Sequence, residues 1–264
     1  MMLNREKLLK FIADAEERAC MTRILDLAER VLTKHEVAVS DFLEPRYTGL
    51  AKDILRGLPD LKFVFEGGHG EAERQRIVLF PGYLEPEDLK PQIGILKITG
   101  GRKFTALKHR DFLGALLGLG IRREKIGDIL IGEQYCLTVV AQELTSYIAA
   151  NLRQVGNVPV QVAPLSEIEP QFGREENFKQ IKTTVASLRL DAVSSHGFSL
   201  SRSQMLEEIK DGKVKLNWKE TTDPAKPVQK GDTISCRGRG RLIVEDVTGA
   251  TKKGRVGIVL KRLL

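Results

Sequence analysis

The chain is poor in the residues that most often announce chemistry. In 264 residues it has three cysteines, four histidines and one tryptophan, and aromatic side chains make up 6%. Cys20, Cys136 and Cys236 are far apart and odd in number, which argues against a disulfide framework and against a CxxC metal or redox pair. His35, His69, His109 and His196 do not recur at metal-ligand spacing. Neither a metal nor a cofactor is expected. The longest apolar run, Phe112 to Ile121, is interrupted by glycines and too short to cross a bilayer. The opening MMLNREKLLK lacks the sustained apolar stretch of a signal peptide. These two absences predict a cytoplasmic protein without a membrane partner.

Catalytic fingerprints are missing too. Gly118-Leu119-Gly120 and Gly238-Arg239-Gly240 lack the third glycine of a dinucleotide loop, with Arg123 and Ile243 in its place. No Walker A sequence and no Gly-x-Ser-x-Gly elbow occurs. His109-Arg110-Asp111 has the tripeptide of a kinase catalytic loop, but the metal-holding Asn five residues after the Asp is replaced by Leu116. The expectation is a non-enzyme with no small-molecule substrate.

What is present is charge, unevenly placed. Residues 1–180 hold 25 Lys/Arg against 26 Asp/Glu, and residues 181–264 hold 17 against 9, so the net +7 lies in the last third. A basic module on a neutral body is the footprint of polyanion binding. No basic amphipathic helix with aromatic anchors accompanies it, which favours nucleic acid over a membrane surface.

Periodicity divides the rest. Residues 1–60 read as helical, with Leu8, Leu9, Ile12 and Ala15 and then Ile24, Leu27, Ala28, Val31 and Leu32 at helical spacing, a break at Pro45, and a third helix over 48–58. Residues 61–165 alternate strands (62–65, 76–80, 93–99, 126–131, 135–140, 158–163) with helices at 109–119 and 142–152. That predicts an α/β domain with two helices on one face of a ferredoxin-like or RNA-recognition-motif-like sheet. The aromatic signature for base stacking is absent from it. Residues 166–180 read as a connector, Phe178 to Ser187 as a strand for either neighbour, 181–264 as the basic module, and Gly249 to Gly254 as an exposed basic loop.

Within the basic module, Leu188 to Asn217 reads as two short helices and a strand. Gly197 is the expected stop of the first helix. Ser201 is the N-cap of the second, with Gln204 completing a capping box, and Gly212 ends it. Lys213 and Lys215 alternate off one strand face. Arg189, Arg202, Ser201, Ser203 and Gln204 gather at helix N-termini, where free N–H groups and the dipole attract phosphate and Arg offers a bidentate fork. A turn at Gly231-Asp232, a strand over 233–236 and the run Arg237-Gly238-Arg239-Gly240-Arg241 follow. Arg189-Leu190-Asp191, Ser201-Arg202, Ile209, Gly212-Lys213-Val214, Asn217, Gly231-Asp232, Ile234 and the Arg-Gly repeat, in this order, resemble the S4-type (alpha-L) RNA-binding domain. The candidate RNA contacts are Arg189, Ser201, Arg202, Gln204, Lys213, Lys215, Arg237, Arg239 and Arg241.

Residues 109–129, HRDFLGALLGLGIRREKIGDI, set Arg110, Arg122, Arg123 and Lys125 around an apolar helix, a candidate second surface for RNA or another partner. This stretch followed by an S4-type domain resembles the YlmH family of bacterial RNA-binding proteins, closely over residues 85–245. The resemblance implies an α+β protein, cytoplasmic and non-enzymatic. Its implied partners are structured RNA (rRNA, tRNA) and the large ribosomal subunit, in quality control of stalled peptidyl-tRNA complexes. It carries over no catalytic residue. The alternatives are a protein-interaction scaffold linked to cell division and an accessory factor for RNA modification. On this reading Arg202→Glu is expected to weaken RNA binding while leaving the fold intact.

Overall fold

The computed structural model describes residues 3–101, 104–168, 178–250 and 254–263, in two compact units, Met1–Arg174 and Glu175–Leu264. The first opens with α1 (Arg5–Leu9), α2 (Ala15–Lys34), β1 (Ala38–Val39), α3 (Pro45–Leu55), β2 (Leu61–Glu66) and β3 (Arg76–Pro81). Asp14 caps α2 by accepting from the Glu16 and Glu17 amides, and those two acids suit the positive end of the helix. Pro45 is the first residue of α3, where its missing N–H costs nothing. The break in the helical pattern is therefore a helix start.

The strands of residues 61–81 belong with these helices. β2 and β3 pair with each other and β3 with β1, all antiparallel. Leu25, Leu55, Ile77 and Leu79 close one core. The N-terminal region is thus helices on a small sheet, and residue 60 falls inside it. The hairpin's alternating pattern fits any sheet, and its third strand is only two residues long, too short to register in sequence.

The rest of the unit is β4 (Ile93–Gly100), α4 (His109–Gly118), β5 (Ile126–Ile131), β6 (Tyr135–Ala141), α5 (Thr145–Asn151), β7 (Gln154–Val155) and β8 (Val158–Leu165). Strand order is β5-β6-β4-β8-β7, antiparallel throughout. Apart from the short β7 this is the β-α-β-β-α-β arrangement of ferredoxin-like and RNA-recognition-motif-like domains. Phe112 and Leu116 of α4 and Ile148 of α5 pack on Leu96, Ile98 and Val140. On the opposite face, Ile95, Leu137, Val139 and Ala141 are buried with Phe42. The Phe42 amide donates to the Glu124 carbonyl at 2.8 Å. Asp128 accepts from the Glu73 and Arg74 amides at 2.8 and 3.1 Å, and Arg74 donates to the Phe42 and Ile126 carbonyls. The N-terminal region so covers part of the face on which RNA-recognition motifs stack bases.

The second unit holds β9 (Phe178–Val185), α6 (Leu190–Phe198), α7 (Arg202–Lys210), β10 (Val214–Leu216), β11 (Lys219–Glu220), β12 (Thr233–Cys236), β13 (Gly240–Ala250) and β14 (Val256–Leu263). Strand order is β11-β10-β12-β13-β14-β9. The strand from Phe178 pairs along β14, from Val256↔Val185 to Leu263↔Phe178, and belongs to the basic unit. Residues 169–177 of the expected connector and 251–253 of the expected basic loop lie outside the described residues. Val193, Met205, Ile209, Leu216, Ile234 and Leu242 form the core under the two helices.

Gly197 does not end the first helix. It lies inside α6, and Ser199 takes the left-handed cap position at φ 58°. A Cβ at Gly197 would sit 2.3 Å from a methyl of the fully buried Leu242, so glycine is what lets α6 approach β13. Gly212, at φ +68°, does follow the end of α7. Gly197→Ala raises helix propensity by about 1 kcal/mol but overpacks a filled core, which costs roughly 1–3 kcal/mol. Chemical denaturation of this variant is expected to show net destabilisation. A gain in stability would mean that α6 approaches β13 less closely than the Leu242 contact requires.

Candidate nucleic-acid interface

The site is built on a buried carboxylate. Asp191, in the first turn of α6, is 1% exposed. It accepts from Arg189 Nε and Nη2 at 3.1 and 3.3 Å, from Arg202 Nε and Nη2 at 2.9 and 2.8 Å, and from the Ala192 amide at 2.9 Å. Burial acts to raise its pKa, but the hydrogen bonds from Arg189 and Arg202 outweigh that and hold it below the usual carboxylate range. Arg189 is the N-cap residue of α6, and Arg202 is the first residue of α7. One carboxylate therefore fixes two guanidiniums at two helix N-termini, while 39% and 55% of their side chains stay open to solvent. Planar, pre-oriented cations suit phosphate oxygens, while the first amides of α6 are already taken, Leu190 and Asp191 donating to the Lys226 and Pro224 carbonyls at 2.9 and 3.0 Å.

Ser201 and Gln204 serve α7 first. The Ser201 hydroxyl accepts from the Gln204 amide at 3.2 Å, and Gln204 Oε1 accepts from the Ser201 amide at 3.1 Å. The capping box read from sequence is present, and it occupies the oxygens of both side chains. At the far end of α7, Glu208 is 2.9 Å from Arg239 and 3.2 Å from Lys213. Hydrogen bonds from Arg239 and then Lys213 hold its carboxyl low. Lys213 also meets Asp211 at 3.0 Å. Lys213 stands just before β10; Val214 and Leu216 turn inward and Lys215 outward. Lys215 and Arg237 are exposed and have no partner among the described residues. With Lys213 they line a small cavity of about 190 Å³. Arg241 packs against Trp218, 5.9 Å from the ring centroid. Basic groups thus gather at both ends of a helix that spans roughly 13 Å.

Sequence reading misses His196, Ser199 and Arg255. They line an open cavity of about 390 Å³ together with Ser195 and Arg202. His196 Nδ1 lies 2.8 Å from the Ala192 carbonyl, and Arg255 donates to Thr184 Oγ1 at 2.9 Å. Arg255 is 53 positions beyond Arg202 in the chain; only the fold joins them.

The four cations of the middle domain separate. Arg110 and Arg122 are open, their side chains 82% and 69% exposed. Arg123 donates to the Ile126 and Gly127 carbonyls, and burial followed by repulsion from Arg74 pushes its pKa down to about 10. Lys125 bridges Asp41 at 2.9 Å and Glu143 at 3.0 Å. Arg123 and Lys125 therefore hold the start of β5, and Lys125 ties it to the N-terminal region. They are not parts of a free basic patch.

Burial pushes the Cys20 and Cys136 thiols up to about 11 and about 12, and raises Cys236 as well, which keeps all three protonated and unreactive. Among the described residues no group of three or more His, Cys, Asp or Glu is placed to hold a metal ion. No described helix is long and apolar enough to cross a membrane.

Three family models match in succession. Residues 16–84 match the N-terminal domain of YlmH, 86–169 the putative RNA-binding domain in YlmH, and 188–234 the S4 domain. The first boundary lies just after β3, where the small N-terminal sheet ends. A solved structure of the cell division protein ylmH from Streptococcus pneumoniae is 24% identical, covering 58% of this chain and 92% of that one at a TM-score of 0.49. Ribosome-associated protein quality control protein P2 of Bacillus subtilis (strain 168) is 33% identical over 248 residues, which is 94% of this chain and 95% of that protein. A relative that runs nearly end to end, together with both YlmH domains and the S4 domain in order, establishes that the chain belongs to the YlmH family.

Proposed function

We propose that this chain is a non-catalytic protein that binds folded RNA on the large ribosomal subunit and acts in quality control of stalled peptidyl-tRNA complexes. The observation that carries the RNA-binding reading is the pair of guanidiniums anchored on Asp191 at the N-termini of α6 and α7. Their fixed geometry suits backbone phosphates and ribose hydroxyls of a folded RNA, which is read by shape more than by base edges. The putative RNA-binding and S4 domains support the same role. The name of the Bacillus subtilis relative places that protein in ribosome-associated quality control, and this supports the ribosomal setting. Arg110 and Arg122 supply a second contact; two linked weak sites then act together through effective concentration.

The test is cosedimentation with large subunits, small subunits and free tRNA across a salt series. A footprint of about three phosphates lowers affinity roughly 40-fold between about 50 and about 200 mM salt. Arg237→Glu, remote from Asp191 and without a described partner, is expected to weaken binding about tenfold at an unchanged melting temperature. Arg202→Glu is a poor probe, because it sets a second carboxylate against the buried Asp191 and damages the fold and the interface together. Failure to bind any of the three RNAs at low salt would overturn the reading.

A further inference from the structure

The two helices of the second unit cover one face of its sheet. Inward residues of the six strands, such as Leu216, Ile234 and Leu242, are buried under α6 and α7. The register places the alternate residues on the other face. Lys215 pairs with Ser235, Ser235 with Arg241, Arg241 with Leu263, and Leu263 with Phe178, a row that crosses five strands. Lys215 and Phe178 are exposed, and Ser235, Arg241 and Leu263 are half-buried.

Two aromatic rings stand at this face, each beside a cation. Phe178 is 50% exposed, with Lys261 Nζ 4.4 Å from its ring centroid. Trp218, the only tryptophan in the chain, is half-buried and has the Arg241 guanidinium carbon 5.9 Å from its ring centroid. Trp218 is also held in an uncommon conformation. Asn217 and Trp218 form the two-residue turn between the paired Leu216 and Lys219, with φ of +50° and +63°. Such turns favour Asn-Gly, and a bulky residue in the second place costs about 1–2 kcal/mol. Asn217 holds the turn, donating to Asp232 at 2.8 Å and accepting from the Thr233 amide at 2.9 Å. The acids nearby are Glu220, opposite Lys215, Asp246, which is paired with Lys230 at 2.9 Å, and Glu245, which accepts from Gln180 Nε2 at 2.8 Å.

We propose that this helix-free sheet face binds an unpaired RNA strand, with bases stacking on Trp218 and Phe178 and phosphates meeting Lys215, Arg241 and Lys261. The proposal deepens the RNA-binding reading and rests on it. Accessible rings with adjacent cations are the two parts of a single-strand site, because every base has a face to stack and every linkage a charge to neutralise. A duplex keeps its base faces covered, so it cannot use the rings. The Asp191 side offers fixed guanidiniums, which suit a folded backbone. Arg241 and Phe178 lie two strands apart, about 10 Å, a separation that successive nucleotides of an extended strand can bridge.

The test uses the full chain, whose lone tryptophan reports directly on stacking. Titration with a ten-nucleotide oligoadenylate is expected to quench Trp218 emission to saturation. Trp218→Gly restores the residue the turn favours, so it keeps or raises the melting temperature. It is expected to weaken labelled oligoadenylate at least about tenfold in fluorescence anisotropy, the loss of one stacked base. Phe178→Ala is expected to do the same to a lesser degree. Both variants keep the affinity of the parent for a folded RNA hairpin. Oligoadenylate that binds without quenching, or that binds both variants as tightly as the parent, would overturn the proposal, as would quenching by anionic phospholipid vesicles but not by oligoadenylate. Loss of hairpin binding in Arg237→Glu belongs to the other reading, so the two can fail separately.

Discussion

A carboxylate at 1% exposure stays ionised only where opposite charge and donors meet it. Asp191 has two guanidiniums and a backbone amide, and the second unit is arranged around that contact. It joins the start of α6 to the start of α7 across eleven residues, fixes the helix pair over the sheet, and leaves both arginines half-exposed. Two arginines and one carboxylate sum to a single positive charge, so orientation rather than charge distinguishes this cluster from a surface lysine. Because its folded pKa lies below the usual value, Asp191 contributes stability at neutral pH. That contribution begins to fade near the unfolded carboxylate value of about 3.9 and is lost as pH falls through the lower folded value.

The same economy runs through the first unit, where cations that look available in sequence are tied down in the fold. Lys125 bridges Asp41 and Glu143, Arg123 serves two carbonyls, and Arg74 holds the Phe42 segment against β5. These contacts close one part of a sheet whose topology, in RNA-recognition motifs, is used for stacking. In the second unit the aromatic-bearing sheet face is left open and the helix side carries the clamped arginines.

Local features are legible in the sequence and distant ones are not. The Ser201–Gln204 capping box and the Gly212 stop follow from spacing within one turn, and the structure has both. Gly197 reads as a helix stop and is not one, because its reason, Leu242, lies 45 residues away. The hairpin of residues 61–81 reads as part of the middle sheet but joins the N-terminal one, because strand pattern reports alternation and not partner. The reach of Lys125 to Asp41, of Arg255 to the Arg202 cavity, and of Arg241 to Trp218 exists only after folding. The middle domain is legible as a topology because its four main strands and two helices each carry their own period. Trp218 leaves one faint mark, an Asn-Trp pair where a tight hairpin favours Asn-Gly.

The most direct measurement is the affinity of Asp191→Asn for a folded ribosomal RNA fragment, at a temperature where circular dichroism shows the variant folded. The substitution removes one negative charge from the basic face. If Asp191 acts by aiming Arg189 and Arg202, binding weakens in spite of the added net charge. If the face works by charge alone, binding tightens, and that result would contradict the aiming role of the buried carboxylate.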